Sequence, residues 1–216
     1  MAEGGGMQFG VDEAGKGPVL GSMFAAAVRA PRNVLPDGID DSKRLSERRR
    51  ETLAERLRAD DRIEIGLAEI TVDRIDAGNM NDLTVVAHVE AAAAIVAPGD
   101  IGHCDAGDVD ATRFATRVES RIETPVTIDA THGADESDAL VGAASILAKS
   151  EREAHVAALG ARIGDFGSGY PSDPNTREFL RTYYEEQAAF PPGTRRSWST
   201  CDRIRTDAEQ SGLGDF

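Results

Sequence analysis

Apolar and polar positions alternate near the start of the chain, with Met7, Phe9 and Val11 set against Gln8, Gly10 and Asp12. That two-residue period predicts a strand with two unlike faces. The strand is expected to end at Asp12. Glu13 would face the other way if it continued, but Gly15 and Gly17 follow, so the chain is expected to turn there and let Glu13 swing back. GSMFAAAVRA reads as a second strand, and the short connection suggests a hairpin. Ser46 is placed to cap a helix over ERRRETLAERLRAD, and RIEIGLAEI alternates again as a third strand. NMNDLTVVAHVEAAAAIVA is helical, capped near Asn81 and stopped by Pro98-Gly99. DIGHCDAGD is a short strand ending in acids, ATRFATRVESRI a helix and PVTIDA a fifth strand. A long alanine-rich helix over SDALVGAASILAKSEREAHVAALGARIG follows. Asp173 and Pro174 suit the N-cap and first turn of a helix over NTREFLRTYYEEQ. FPPGTRRSWST is irregular, and a short helix is expected from Cys201.

This order predicts an α/β fold: a mixed five-stranded sheet flanked by helices, antiparallel at the start and parallel later. There is no internal repeat. From about Asp165 onward no strand signal remains, which predicts a small helical appendage. The expected division is a main domain over 7–164, a helical region over 165–205 and a flexible tail over 206–216.

The 216 residues, 40% hydrophobic, suffice for a real core. No apolar run reaches the roughly 18 residues of a membrane span. The opening MAEGGGMQFG has neither a basic end nor an apolar stretch, so no secretory leader is expected and the cytoplasm is the expected compartment. Cys104 and Cys201 do not form a metal-type pair and are expected to be reduced thiols. Acids outnumber bases 38 to 24, a net charge of -14, and all but Lys16, Lys43 and Lys149 of those bases are arginine. Taken alone, that balance argues against a nucleic-acid partner. In very high salt, where the Debye length falls to about 3 Å, it does not.

The three lysines sit in small polar clusters, DEAGKGP, DDSKRLS and SILAKSERE, and a lysine ammonium is a compact charge suited to a phosphate oxygen. Carboxylates gather at strand ends: Asp12 and Glu13 after the first strand, Asp105 after the fourth, and Asp135 before the long helix. Each has an ordinary reading. Asp12 and Asp105 suit turns, and Asp135 or Asp138 suits a helix cap. Together, however, four converging acids would repel one another unless hard divalent cations lay between them.

At this point FGVDEAGKGPVLG, DDSKRLS, CDAGDV, ADESDALVGAASILAKSERE and DFGSGYPSDP together resemble the type 2 ribonuclease H family (ribonuclease HII) in its archaeal form. The resemblance keeps the family's order over nearly the whole chain, and the acidic, lysine-poor composition resembles that of halophilic archaea. It implies a ribonuclease H-like fold. It also implies an endonuclease that cleaves the RNA strand of RNA–DNA hybrids and cuts 5′ to ribonucleotides embedded in duplex DNA, using two Mg²⁺ or Mn²⁺ ions. Carried over residue by residue, the metal-binding and catalytic acids are Asp12, Glu13, Asp105 and Asp135. The loop that recognises the 2′-hydroxyl falls on Gly15, Lys16 and Gly17, and the tyrosine that stacks on the sugar after the junction is Tyr170. Lys43 and Lys149 match phosphate-contacting positions. Ser145, Lys149 and Arg152 share a helical stripe that suits a polar surface toward substrate. The implied roles are ribonucleotide excision repair and RNA primer removal, and a monomer with no membrane partner is expected.

Relatives often read His-Lys-Ala-Asp before the long helix, where this chain has His132-Gly133-Ala134-Asp135, so Asp129, Glu136 and Asp138 compete with Asp135 for the fourth place. Two rival readings stand beside the enzyme: a non-catalytic module that marks RNA–DNA junctions, and a metal-dependent phosphohydrolase of a small substrate. Finally, QSGLGDF places Gln210, Leu213 and Phe216 at the spacing of the short peptide by which DNA-processing enzymes dock on the sliding clamp, proliferating cell nuclear antigen. One helical turn would bring Leu213 and Phe216 together as an apolar plug, with Gln210 at the rim.

Overall fold

The computed structural model describes residues 6–39 and 45–213, with side chains described as far as Gln210. Five strands form one sheet in the order β3-β2-β1-β4-β5: β1 Gln8–Ala14, β2 Met23–Arg29, β3 Glu64–Ile70, β4 Ile101–Asp105 and β5 Thr127–Thr131. β1 pairs antiparallel with β2 and β2 with β3, whereas β1–β4 and β4–β5 are parallel. The helices are α1 Glu47–Arg58, α2 Val72–Ala77, α3 Met80–Ala93, α4 Ala111–Glu119, α5 Ala139–Ile163, α6 Pro174–Gln187 and α7 Ser199–Leu213. The mixed sheet and its flanking helices are those the polarity pattern predicts.

Two cores lie on the two faces of the sheet. Phe9, Val11, Met23, Ala25 and Ala27 pack with Val85, Ala87 and Phe114 of α3 and α4. Ala14, Ala26 and Val28 face Leu53, Leu57, Leu140, Ala144 and Leu147 of α1 and α5. Gly10 explains how α5 comes so close to the central strand. A Cβ there would lie 2.3 Å from the Val141 nitrogen, so only glycine lets the first turn of the helix rest on β1. A third cluster, with Val19, Leu20, Leu159, Phe166, Leu180, Phe190 and Ile204, packs α6 and α7 against the end of α5 and the loop after β1.

Three differences from the sequence reading matter. β1 does not end at Asp12. Asp12, Glu13 and Ala14 stay paired with Ala26, Ala25 and Phe24 of β2, and the small alanines opposite Asp12 and Glu13 leave room for the acids. The turn comes later, with Gly15 and Gly21 at φ of 92° and 89°. The short α2 was not expected. The last helix begins at Ser199 and runs to Leu213, through most of the segment expected to be a tail. Cys104 and Cys201 are both buried and unlinked. Among the described residues no helix is long and apolar enough to cross a membrane.

Candidate active site

β1 is the central strand, and its C-terminal half delivers Asp12 and Glu13. Because β1 stays extended through both, their side chains point to opposite faces of the sheet. Asp12 turns toward α5, where the Ser145 hydroxyl hydrogen-bonds its carboxyl, and its Oδ1 also accepts the Glu13 amide at 2.7 Å. Glu13 turns toward α3, where His88 Nε2 lies 2.7 Å from its Oε2. The expected swing of Glu13 back to Asp12 does not occur, since a paired strand fixes the alternation. Val11 pairs with Cys104, so the next residues of the two strands, Asp12 and Asp105, stand at the same level. Asp105 Oδ1 accepts the amides of Gly133 at 2.7 Å and Ala134 at 3.1 Å, which pulls the segment carrying Asp135 over the end of β4.

Of the four acids before α5, the structure separates Asp135 from the others. Asp138 is the helix cap, accepting the Leu140 amide at 2.9 Å and pairing with Arg32 at 2.7 Å and His103 at 3.1 Å. Asp129 accepts the neighbouring Ala130 amide at 2.9 Å, and Glu136 is exposed. Asp135 is buried in a 3-10 turn, 3.9 Å from Lys149 Nζ.

The acids feel one another. Burial first, then the charges of Glu13 and Asp105, push Asp12 up to about 8 from its ordinary 3.8. Burial raises Asp105 too, and the charges of Asp135 and Glu13 add to this against the two backbone amides. Burial would also raise Glu13, but the His88 hydrogen bond and the charges of His88 and Lys16 outweigh it and hold Glu13 below its ordinary value. Two carboxylates, Asp12 and Asp105, whose ionisation is opposed by burial and by acidic neighbours are chemistry that suits a hard divalent cation. Among the described residues, no three His, Cys, Asp or Glu side chains are placed to hold one ion.

Beside the acids lies the glycine loop. Lys16 Nζ donates to the Gly107 carbonyl and so bridges the loops after β1 and β4. This bridge divides the cleft into a groove of about 410 Å³ toward α5 and one of about 370 Å³ toward α3 and α4, and Glu13 and Lys16 line both. Gly15, Gly17, Lys149, Arg152 and Tyr170 line the first. Arg152 lies 4.9 Å from the Tyr170 ring centre, and a Cβ on Gly17 would come within 3.6 Å of that ring. The expected Ser145–Lys149–Arg152 stripe opens only at its far end. Ser145 is fully buried, donor to Asp12 and acceptor from Lys149 Nζ at 2.7 Å, because the first turns of α5 lie against the sheet. Lys43 and Phe216 lie outside the described residues, as does the Leu213 side chain. Gln210 is exposed near the end of α7.

Two residues around this cleft escaped the sequence reading. His88 interrupts the apolar run VVAHVEAAAA, a signal that could have been noticed, but its target depends on strand register. Arg195 is fully buried, an improbable place for an arginine and invisible to any periodicity.

Residues 9–201 match the family model for ribonuclease HII. The chain belongs to the ribonuclease HII family. It is 60% identical to the ribonuclease HII of Natronomonas pharaonis over 207 residues, 96% of this chain and 98% of that one. It is 56% identical to that of Haloarcula marismortui, covering 97% of this chain and all of the other. The fold is that of the ribonuclease H2 from Pyrococcus horikoshii OT3, with a TM-score of 0.86 and 34% identity over 94% of this chain and 99% of that one. A similar likeness holds to the ribonuclease HII of Archaeoglobus fulgidus in its complex with PCNA, with a TM-score of 0.81 and 35% identity, covering 92% of this chain and 97% of that one.

Proposed function

We propose that this ribonuclease H cleaves the RNA strand of RNA–DNA hybrids and cuts 5′ to single ribonucleotides embedded in duplex DNA, leaving a 3′-hydroxyl and a 5′-phosphate. The observation that carries the reading is the groove in which Glu13 meets the glycine loop and the Tyr170 ring, next to Asp12 and Asp105, two acids whose ionisation their acidic neighbours oppose. Asp12, Glu13, Asp105 and Asp135 would hold two divalent cations, Mg²⁺ or Mn²⁺, which when bound supply the charge that activates water and stabilises a leaving oxygen. Ser145 and His88 orient the first two acids from opposite faces of the sheet. Gly15 and Gly17 bring backbone amides up to the sugar without a Cβ in the way, and Tyr170 supplies a face for the next sugar. Lys16 and Lys149 supply point charges for phosphate oxygens, and Lys43 is assigned the same role by its motif. Contacts of this kind read the 2′-hydroxyl and backbone, so base preference is low. Repair of misincorporated ribonucleotides and primer removal follow as cellular roles.

We also propose that Gln210, Leu213 and Phe216 dock on a sliding clamp. The spacing supports this, and so does the structurally similar Archaeoglobus fulgidus enzyme, whose solved structure is a complex with PCNA.

The test is incubation of the purified protein with a duplex carrying one ribonucleotide, with Mg²⁺ and Mn²⁺ in turn across a KCl series. The expected result is a single cut 5′ to the ribonucleotide, persisting at molar KCl as the net charge of -14 suggests. Absence of cleavage under every condition, with binding retained, would leave a junction-binding module instead.

A further inference from the structure

The glycine loop is shaped from outside its own hairpin. Arg195 lies in the segment between α6 and α7 and is fully buried. Its Nε donates to the Gly21 carbonyl at 2.8 Å, one terminal nitrogen to the Lys16 carbonyl at 2.9 Å and the other to the Gly15 carbonyl at 2.6 Å. Its backbone amide donates to the Val19 carbonyl at 2.8 Å. Four carbonyls of one short loop therefore converge on one residue almost the whole chain away. Trp198 seats the guanidinium, 5.1 Å from the ring centre, and its indole nitrogen donates to the Gly17 carbonyl at 3.4 Å. Asp76, just before the end of α2, accepts the amides of Arg196 at 2.9 Å and Ser197 at 3.0 Å, and so ties this segment to the main domain.

No carboxylate faces the Arg195 side chain in any of these bonds. A cation buried among carbonyl dipoles is costly, and an apolar plug would hold a loop in place more cheaply. What a guanidinium adds is a rigid fork that fixes several carbonyls at set angles to one another. That has a consequence on the other side of the loop. None of the described peptide bonds is cis, and in a trans peptide the N–H points opposite to the C=O. Drawing the carbonyls of Gly15 and Lys16 inward therefore turns the amides of Lys16 and Gly17 outward, toward the groove bounded by Arg152 and Tyr170. Burial, and to a lesser extent the charge of Arg152, lowers the Arg195 pKa to about 10, which still leaves it charged at neutral pH.

We propose that Arg195 is the positioning residue that aims the Lys16 and Gly17 amides at the ribose, and that selectivity for the 2′-hydroxyl depends on its three-carbonyl clasp. The inference rests on the reading of the glycine loop as the ribose-recognising element.

The test compares affinity, in EDTA so that no cleavage intervenes, for a duplex with one ribonucleotide and for its all-DNA twin. Wild-type protein is expected to prefer the ribonucleotide duplex at least tenfold. Arg195→Lys keeps the charge but cannot span three carbonyls. Its folded form, checked by circular dichroism, is expected to bind the two duplexes within about twofold of each other and to lose at least tenfold in kcat/KM. Partial unfolding alone would reduce active protein equally toward both duplexes and leave their ratio intact. A second measurement uses the unaltered protein: the Lys16 and Gly17 amide resonances should shift with the ribonucleotide duplex and not with its twin. A wild-type protein with no preference would sink the glycine-loop reading and this inference together. A preference retained in folded Arg195→Lys, or amides that respond alike to both duplexes, would overturn this inference alone.

Discussion

His88 Nε2 stands 2.7 Å from Glu13 Oε2, on the face of the sheet opposite the one that Asp12 occupies. His88 is fully buried, edge-on to Phe114 with ring centres 5.0 Å apart, so its ring orientation is set by packing. A donor so fixed holds one Glu13 oxygen and leaves the other to turn toward the cleft. His88→Gln, which keeps a donor at different reach, and His88→Leu, which keeps only bulk, should separate orientation from packing. Loss of an orienting partner typically lowers metal affinity or activity 10–100-fold. The expected outcome is an increase of that order in the Mg²⁺ concentration needed for half-maximal cleavage, larger for His88→Leu. Unchanged metal dependence in both would confine His88 to the core.

The same crowding of acids makes the metal-free protein sensitive to pH. Asp12 is held protonated to about 8 in the fold but ionises near 3.8 when unfolded. The folded state therefore binds more protons between those values, and stability falls as pH rises through them. Asp105, also raised, acts in the same direction, whereas Glu13 is lowered and loses its contribution only on the acid side of its ordinary 4.5. In EDTA the melting temperature is expected to drop between pH 5 and pH 8 by roughly 5–10 °C, a few kcal/mol for a chain of this size. Mg²⁺ or Mn²⁺ should restore it at pH 8 far more than at pH 5, and Asp12→Asn should flatten both effects. Thermal melts in matched buffers check this, and a flat wild-type profile would count against mutual repulsion at the site.

Asp135 and Asp138 lie three residues apart in different surroundings, the first buried in a 3-10 turn and the second capping α5. Asp138 is drawn well below the usual carboxylate range because its hydrogen bonds to His103 and Arg32 outweigh the effect of burial. Asp138→Asn keeps the cap at Leu140 but weakens two charge-assisted bonds, so a loss of about 1–2 kcal/mol in stability with cleavage unchanged is expected. Asp135→Asn should lower cleavage by about two orders of magnitude or more at little cost in melting temperature, as one lost electrostatic contact to the reacting charge does. If the activities came out the other way round, the fourth acid would be Asp138.

What could be read without coordinates was whatever the chain encodes locally. Ser46 and Asp173 cap their helices as expected, accepting amides at 3.3 Å and 2.9 Å, because a cap involves only its own next few residues. β1 and β3 follow from alternation, and β2, β4 and β5 from short runs set between turn and helix signals. What could not be read depended on register and long-range partners. Whether Glu13 belongs to β1 was decided by alanines on β2, and which of Asp135 and Asp138 capped α5 was decided by Arg32 and His103 on other elements. The motif named Asp12, Glu13, Asp105 and Asp135 one by one. It did not disclose that the first two approach the cleft from opposite faces.

Tyr170 is 37% exposed and leans on the Arg152 guanidinium beside Gly17, so its ring adds little to the core. Tyr170→Ala removes a stacking face worth about 1–3 kcal/mol, or roughly 5- to 150-fold. That loss is expected in kcat/KM at a lone ribonucleotide, with the melting temperature within a few degrees of wild type, and Tyr170→Phe should recover most of it. Equal activity of Tyr170→Ala and wild type on the lone-ribonucleotide duplex would reduce Tyr170 to a loop residue.

The end of the chain can be tested apart from catalysis. α7 is anchored by its early residues, with Cys201 and Ile204 buried against the appendage core, while Gln210 near its end is exposed. Removing residues 210–216 therefore takes away no described core contact, and the truncated protein should fold. If Gln210, Leu213 and Phe216 form a clamp-docking peptide, full-length protein should bind the cognate clamp with a Kd of about 1 μM, equivalent to roughly -8 kcal/mol. The truncated protein should show no binding in the same calorimeter, and its cleavage of a short free duplex should match that of the full chain, because no clamp is present to be lost. Leu213→Ala with Phe216→Ala should reproduce the truncation, since the apolar pair supplies most of the buried area, whereas Gln210→Ala alone should weaken binding by a smaller factor. Clamp affinity that is the same with and without the last seven residues would place any docking surface elsewhere on the protein.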